Sequence, residues 1–212
     1  VSLFGMSVSA AELPAMSRAT GSEAEIADYL RKRLNAGLRQ IAFFIVPSAM
    51  AFFALGDIIT AALYQRGKFT ASDSVYVWVI LAGSAVGLLA STMGRLYSST
   101  FYALRDTRTP LRFALVRVSL AALTGFLASQ YLPGLVGIDR RWGAAGITVA
   151  SGLAGWIEFI LLRRSLNRRI GKSGVELSFT AKLWVAAGAG AAAAWAVKLA
   201  TLQFHPILQA IF

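Results

Sequence analysis

Blocks of about twenty apolar residues, separated by short basic segments, dominate this chain and leave it few ways to fold. An α-helix rises 1.5 Å per residue, so about twenty residues cross a hydrocarbon core of about 30 Å. Five such blocks are present: Ile41 to Tyr64, Val75 to Met93, Leu111 to Leu132, Gly143 to Leu162 and Phe179 to Leu202. Composition agrees, with 57% hydrophobic and 15% charged residues in 212. Soluble domains carry about 45–50% and about 25%. The pattern predicts an all-α, polytopic transmembrane helix bundle. It excludes a disordered or collagen-like chain and argues against a compact soluble enzyme.

The remaining segments divide the chain further. Residues 1–18 read as the end of a spanning helix truncated at its front: Val1 to Leu13 is apolar, and Pro14 and Arg18 close it. Residues 19–40 read as an amphipathic helix on the cytoplasmic membrane surface. Ser22 and Glu25 form a capping-box pattern, and Ile26, Leu30, Leu34 and Leu38 make one apolar stripe flanked by Arg31, Lys32 and Arg33. Residues 41–172 hold four spans, and 173–212 an additional helix with a truncated apolar tail. Thr70 and Asp73 form a capping box that opens the helix of the second span, and within it Gly83, Gly87 and Ser91 space small residues for helix packing. Thr109-Pro110 reads as an N-cap followed by proline in the first turn.

Orientation follows from the basic residues. Sixteen of the 21 Lys and Arg fall in segments on one side of the spans and five on the other. The excess marks the cytoplasmic side. The same topology accounts for the net charge of +11 without nucleic acid.

Chemistry-bearing residues are sparse. There is no Cys and one His, His205, and no phosphate-binding glycine motif, Ser–His–acid set or acidic metal motif. No cofactor or metal is expected. The informative residues are charges inside spans, each costly in hydrocarbon unless paired. Glu12, Arg95, Arg117 and Glu158 all fall in the cytoplasmic half. They read either as a water-accessible cleft for a charged substrate or as snorkelling side chains with a structural ion pair. Asp57 lies in the outer half without an evident partner, and Pro47 reads as a hinge or a tolerated membrane proline.

An ordered series of short motifs runs along the chain: Leu13-Pro14-Ala15-Met16-Ser17-Arg18, Gly37-Leu38-Arg39, Pro47-Ser48, Leu63-Tyr64-Gln65-Arg66-Gly67-Lys68-Phe69-Thr70 with Asp73, and Phe101-Tyr102-Ala103-Leu104-Arg105-Asp106-Thr107-Arg108-Thr109-Pro110. In this order they resemble the second half of the MurJ/MviN family, the lipid II flippases of the multidrug/oligosaccharidyl-lipid/polysaccharide exporter superfamily. The resemblance implies about fourteen spans in two lobes plus two extra helices, of which this chain would supply the second lobe, truncated at both ends. It implies a bacterial inner-membrane transporter rather than an enzyme. Such a protein moves an undecaprenyl-pyrophosphate-linked glycan to the outer leaflet by alternating access, its arginines binding the pyrophosphate.

Arg95 falls where members often carry a basic residue. Arg18, Arg105, Asp106 and Pro110 match the motifs, which implies a role in cytoplasmic loop structure and gating. Leu120 to Ser129 holds no Asn or Asp, and Gly125 stands where some members carry a sodium-binding Asn. The alternatives are a sibling exporter of another polysaccharide lipid or a drug, and a non-transporting membrane scaffold partnering a cell-wall synthesis protein.

Overall fold

The computed structural model describes the backbone of residues 2–64, 70–137, 139 and 142–209, and of these the side chains except at residues 2, 71, 136 and 200–209. The Gln65 to Phe69 part of the motif series lies outside the described residues. Among the described residues six helices follow one another: α1 (Ser2–Ser17), α2 (Glu23–Tyr64), α3 (Ala71–Ala103), α4 (Arg108–Val136), α5 (Gly143–Ile170) and α6 (Leu177–Gln209). Five of them, α2 to α6, are long and apolar enough to cross a membrane.

Helix α2 joins what the sequence separates. The amphipathic stretch and the first span form one 42-residue helix with no break near residue 40. At 1.5 Å per residue it extends about 63 Å, twice the hydrocarbon thickness, so its first part stands beyond the span. The capping box at its start is formed: Ser22 N donates to Glu25 Oε2 at 2.8 Å, and Glu25 N donates to Ser22 Oγ at 3.4 Å. The stripe of Leu30, Leu34 and Leu38 is buried against protein. It meets Met16 of α1, Leu96, Tyr97 and Phe101 of α3, and Leu162, Leu166 and Ile170 of α5 in one core. Apolar periodicity alone cannot say whether a stripe faces lipid or protein, and here protein covers it.

The helices run through both Pro14, read as part of a helix end, and Pro47, read as a hinge or a tolerated proline. Pro14 lies inside α1, which continues to Ser17, and Pro47 lies inside α2. Each removes one ladder hydrogen bond, a loss that packed membrane helices tolerate. Helix α4 likewise runs through Pro133 to Val136 and closes on Gly137, whose φ of 71° provides the left-handed cap.

Helices α3 and α4 flank α5 on opposite sides and barely touch each other. Two close approaches fix this row. A Cβ on Gly87 would lie 2.5 Å from Gly152 Cα, and one on Gly143 would lie 2.7 Å from Ser129 O. The small-residue spacing of α3 thus does pack a helix, and the partner is α5. Helix α2 covers α3, α1 fits against α3 and α2, and α6 lies along α2.

Candidate functional site: a polar cavity between α1, α3, α4 and α5

On α3, Ser84, Ser91 and Ser98 recur every seven residues, as do Arg95 and Tyr102. Two helical turns separate such positions, so they share one face. Ser91, Arg95, Ser98, Ser99 and Tyr102 line a cavity of about 380 Å³. Ser9 and the apolar side of α1 close one wall, and Arg117 of α4 and Glu158 of α5 close the other. Toward the start of α3 the same groove continues as a smaller cavity of about 160 Å³ lined by Ser84, Gly87, Thr148, Ser151 and again Arg117. The heptad spacing of serines was a legible signal for this surface, and reading Ser91 only as a packing residue overlooked it.

Three of the four charged candidates converge here. Arg117 Nη1 donates to Glu158 Oε2 at 3.2 Å. The carboxylate is the deeper partner, with 12% of the Glu158 side chain exposed against 40% for Arg117. Arg117 therefore turns one nitrogen to Glu158 and keeps the rest of its donor fork toward the opening. Arg95 is exposed to the cavity and forms no ion pair among the described residues. The set carries two positive charges and one negative. An excess guanidinium, planar and with several donors, in a hydroxyl-lined cleft suits a multidentate oxyanion such as a phosphate.

Glu12 is not part of this set. It turns to α2, where its Oε2 lies 3.1 Å from Arg33 Nε. Asp57 also has a partner, Lys198 of α6, which the sequence reading had not connected to it.

The α3–α4 corner is built around Asp106. Its carboxylate accepts from Thr109 N at 3.0 Å and from Thr109 Oγ1 at 2.7 Å. The N-cap position of α4 is Thr107, whose side chain makes no cap bond; the capping side chain is that of Asp106 just before it, not Thr109, whose hydroxyl serves the carboxylate as a donor. Pro110 is buried in the first turn, where a missing N–H costs nothing. Arg169 at the end of α5 donates to Asp106 Oδ2 at 2.6 Å and lies over the Phe101 ring. The Thr109 amide, then the Thr109 hydroxyl and Arg169, pull the Asp106 pKa down from 3.8 to about 2 against its partial desolvation.

Arg105 precedes it with φ of 58°. Arg105 N donates to Tyr102 O and Asp106 N to Phe101 O, each at 2.9 Å, the bonding of a Schellman motif. The left-handed position of that motif normally belongs to glycine, so an arginine there costs about 1–2 kcal/mol. Its side chain is exposed, as is that of Arg18 at the end of α1.

Comparison with known proteins matches this arrangement to one family. The model of the family described as "Lipid II flippase MurJ" matches residues 1–211. A probable lipid II flippase MurJ of Bdellovibrio bacteriovorus is 27% identical over 225 residues, covering 99% of this chain and 37% of that protein. One from Rhizobium meliloti is 32% identical, over 76% of this chain and 28% of the relative. The lipid II flippase MurJ of Burkholderia cenocepacia is 28% identical, over 79% and 30%. A solved lipid II flippase MurJ in an inward closed conformation shares the fold, with a TM-score of 0.71 at 21% identity over 92% of this chain and 37% of that one. The chain spans roughly a third of the length of these relatives. With a match running from the first residue to the last but one, and with the same helical architecture, this chain belongs to the lipid II flippase MurJ family.

Proposed function

We propose that this chain forms the second-lobe part of a bacterial inner-membrane flippase that moves lipid-linked peptidoglycan precursor from the inner to the outer leaflet by alternating access. The observation that carries the reading is the polar cavity set into an otherwise apolar bundle, with Arg95 and Arg117 open to it. Arg95 and Arg117 contact the pyrophosphate, and Glu158 holds Arg117 in place. The protein transports its substrate without covalent chemistry. The basic loops lie in the cytoplasm, as their excess of Lys and Arg supports. Arg18, Arg105, Asp106 and Pro110 shape the cytoplasmic mouth, and Pro47 lets the long helix α2 flex as the mouth opens and closes.

The test uses the intact protein. Arg95→Ala and Arg117→Ala are compared with wild type in flipping of labelled lipid II by reconstituted vesicles, and in support of growth at native expression. Each substitution is expected to reduce flipping at least about tenfold, corresponding to about 1.4 kcal/mol of lost anion contact. Wild-type flipping in both variants would instead make the arginines snorkelling residues with no part in transport.

A further inference from the structure

Helix α6 is held to the rest of the bundle in an unusual way. It packs along α2 and touches the other helices only marginally. None of its described span, Leu177–Leu199, is buried. A Cβ added at Gly188 or Gly190 would meet nothing within 4 Å. Without a driving force from water, helices in lipid associate through close packing and polar contacts, and along this seam close packing is confined to the first half of α6, where Phe179, Leu183 and Ala187 lie against the core.

The polar contacts gather at its two ends. At the cytoplasmic end the Arg39 guanidinium lies 4.4 Å from the centroid of the Phe179 ring. The preceding turn is tied down by Gly174 N donating to Asn35 Oδ1 at 2.9 Å, and by Ser173 N donating to Asn167 Oδ1 at 3.0 Å. Nineteen residues on, roughly 28 Å along the helix, Lys198 meets Asp57 of α2. That contact borders a cavity of about 500 Å³ between α2, α3 and α6, walled by Phe53, Trp78 and Trp195.

The outer contact is poorly satisfied. Asp57 Oδ2 faces Lys198, but Oδ1 is buried with no hydrogen-bond partner among the described residues. A buried acceptor left unmade keeps its full desolvation penalty. A charge pair in hydrocarbon that carries such a penalty, beside a void, is held but not locked.

We infer that Asp57 and Lys198 form a releasable latch: α6 pivots on its cytoplasmic end, and opening the pair parts the outer half of the α2–α6 seam toward the bilayer. The inference rests on the packing of α6 and is independent of what the polar cavity binds. Separation of the pair is favoured when water or a lipid phosphate at the outer interface takes over Lys198, because neither charge is stable alone in hydrocarbon.

Spin-label distances in the intact protein, reconstituted in vesicles, test it. One pair sits at the latch end, on Leu63→Cys and Leu199→Cys. The other sits at the pivot end, on Gln40→Cys and Ser178→Cys. In Asp57→Asn and in Lys198→Met the latch-end distribution is expected to gain a population displaced by roughly 10 Å, a helix diameter, while the pivot-end distance stays fixed. The charge-exchanged double variant Asp57→Lys with Lys198→Asp is expected to restore the short distance. Unchanged latch-end distances in both single variants overturn the inference, since packing would then hold α6. Displacement of both ends together overturns the pivot. Failure of the charge exchange to restore the short distance shows that the pair does not hold the helix. Failure of Asp57→Asn to yield folded protein also overturns it, because a contact that opens in the working protein cannot be indispensable to the fold.

Discussion

The guanidinium of Arg117 and the carboxylate of Glu158 meet at 3.2 Å across the α4–α5 boundary, with the carboxylate on the inside. The asymmetry assigns them different tasks. Under the proposed function Glu158 positions Arg117, which presents its remaining donors to the cavity. Removing the carboxylate should therefore harm Arg117 twice, by freeing its rotamers and by leaving its charge uncompensated. We expect Glu158→Ala to destabilise the intact protein by about 1–3 kcal/mol, below the cost of a fully buried pair because Arg117 reaches the opening. Arg117→Ala should cost a similar amount, and the double variant less than the sum. A double-mutant cycle on thermal unfolding in detergent checks this, and additive losses would show that the two groups do not interact.

The Asp106 corner predicts a dependence on pH. The native carboxyl is held near 2 against 3.8 for the free group, so it binds its proton less readily folded than unfolded. Its stabilising contribution is complete above pH 4 and declines as pH falls toward 2. Asp106→Asn should thus lower the melting temperature at pH 7, and the gap to wild type should close as pH is taken below 4. Arg169→Gln should reproduce part of the loss at pH 7. A gap that is constant over this range would mean that the cap works by shape and not by charge.

Much of this arrangement is legible in the residues. The five apolar blocks, the capping boxes at Ser22 and Thr70 and the close packing of Gly87 are local signals, and they survive folding because nothing in the tertiary structure competes with them. The stripe of Leu30, Leu34 and Leu38 reads as facing the membrane surface, but a face of that width serves equally against protein, and here α3 and α5 cover it. The pairings of charges were beyond reach. Glu12 could have met Arg95 or Arg117, and only the placement of α1 beside α2 delivers it to Arg33. Asp57 and Lys198 are 141 residues apart, and no periodicity in either helix connects them.

The strained backbone at Arg105 separates two possible reasons for an arginine there. Arg105→Gly removes the left-handed penalty, but gives the unfolded chain more freedom. We expect the folded state to gain a few tenths to about 1 kcal/mol. Arg105→Ala keeps the strain and loses the charge, so it should not stabilise. If the side chain serves the cytoplasmic mouth, both variants should flip substrate more slowly, the glycine variant from a more stable protein. Melting temperature and flipping rate measured together decide it. Unchanged flipping in both would leave Arg105 as strain without a use.

The contact between Gly87 and Gly152 makes the last prediction. Their backbones approach so closely that a single methyl on Gly87 would overlap Gly152 Cα, and backbone cannot step aside as a side-chain tip can. Gly87→Ala must therefore push α3 from α5. That shift spreads Ser91 and Arg117, which line the adjoining cavities together. Overpacking of this kind costs about 1–3 kcal/mol. Gly188→Ala, the same change in a spanning helix, meets open space and should be neutral or slightly stabilising, since alanine is the better helix former by about 1 kcal/mol. Melting temperatures of the two variants should move in opposite directions or differ clearly. Equal responses would show that the α3–α5 seam yields as readily as the exposed face of α6.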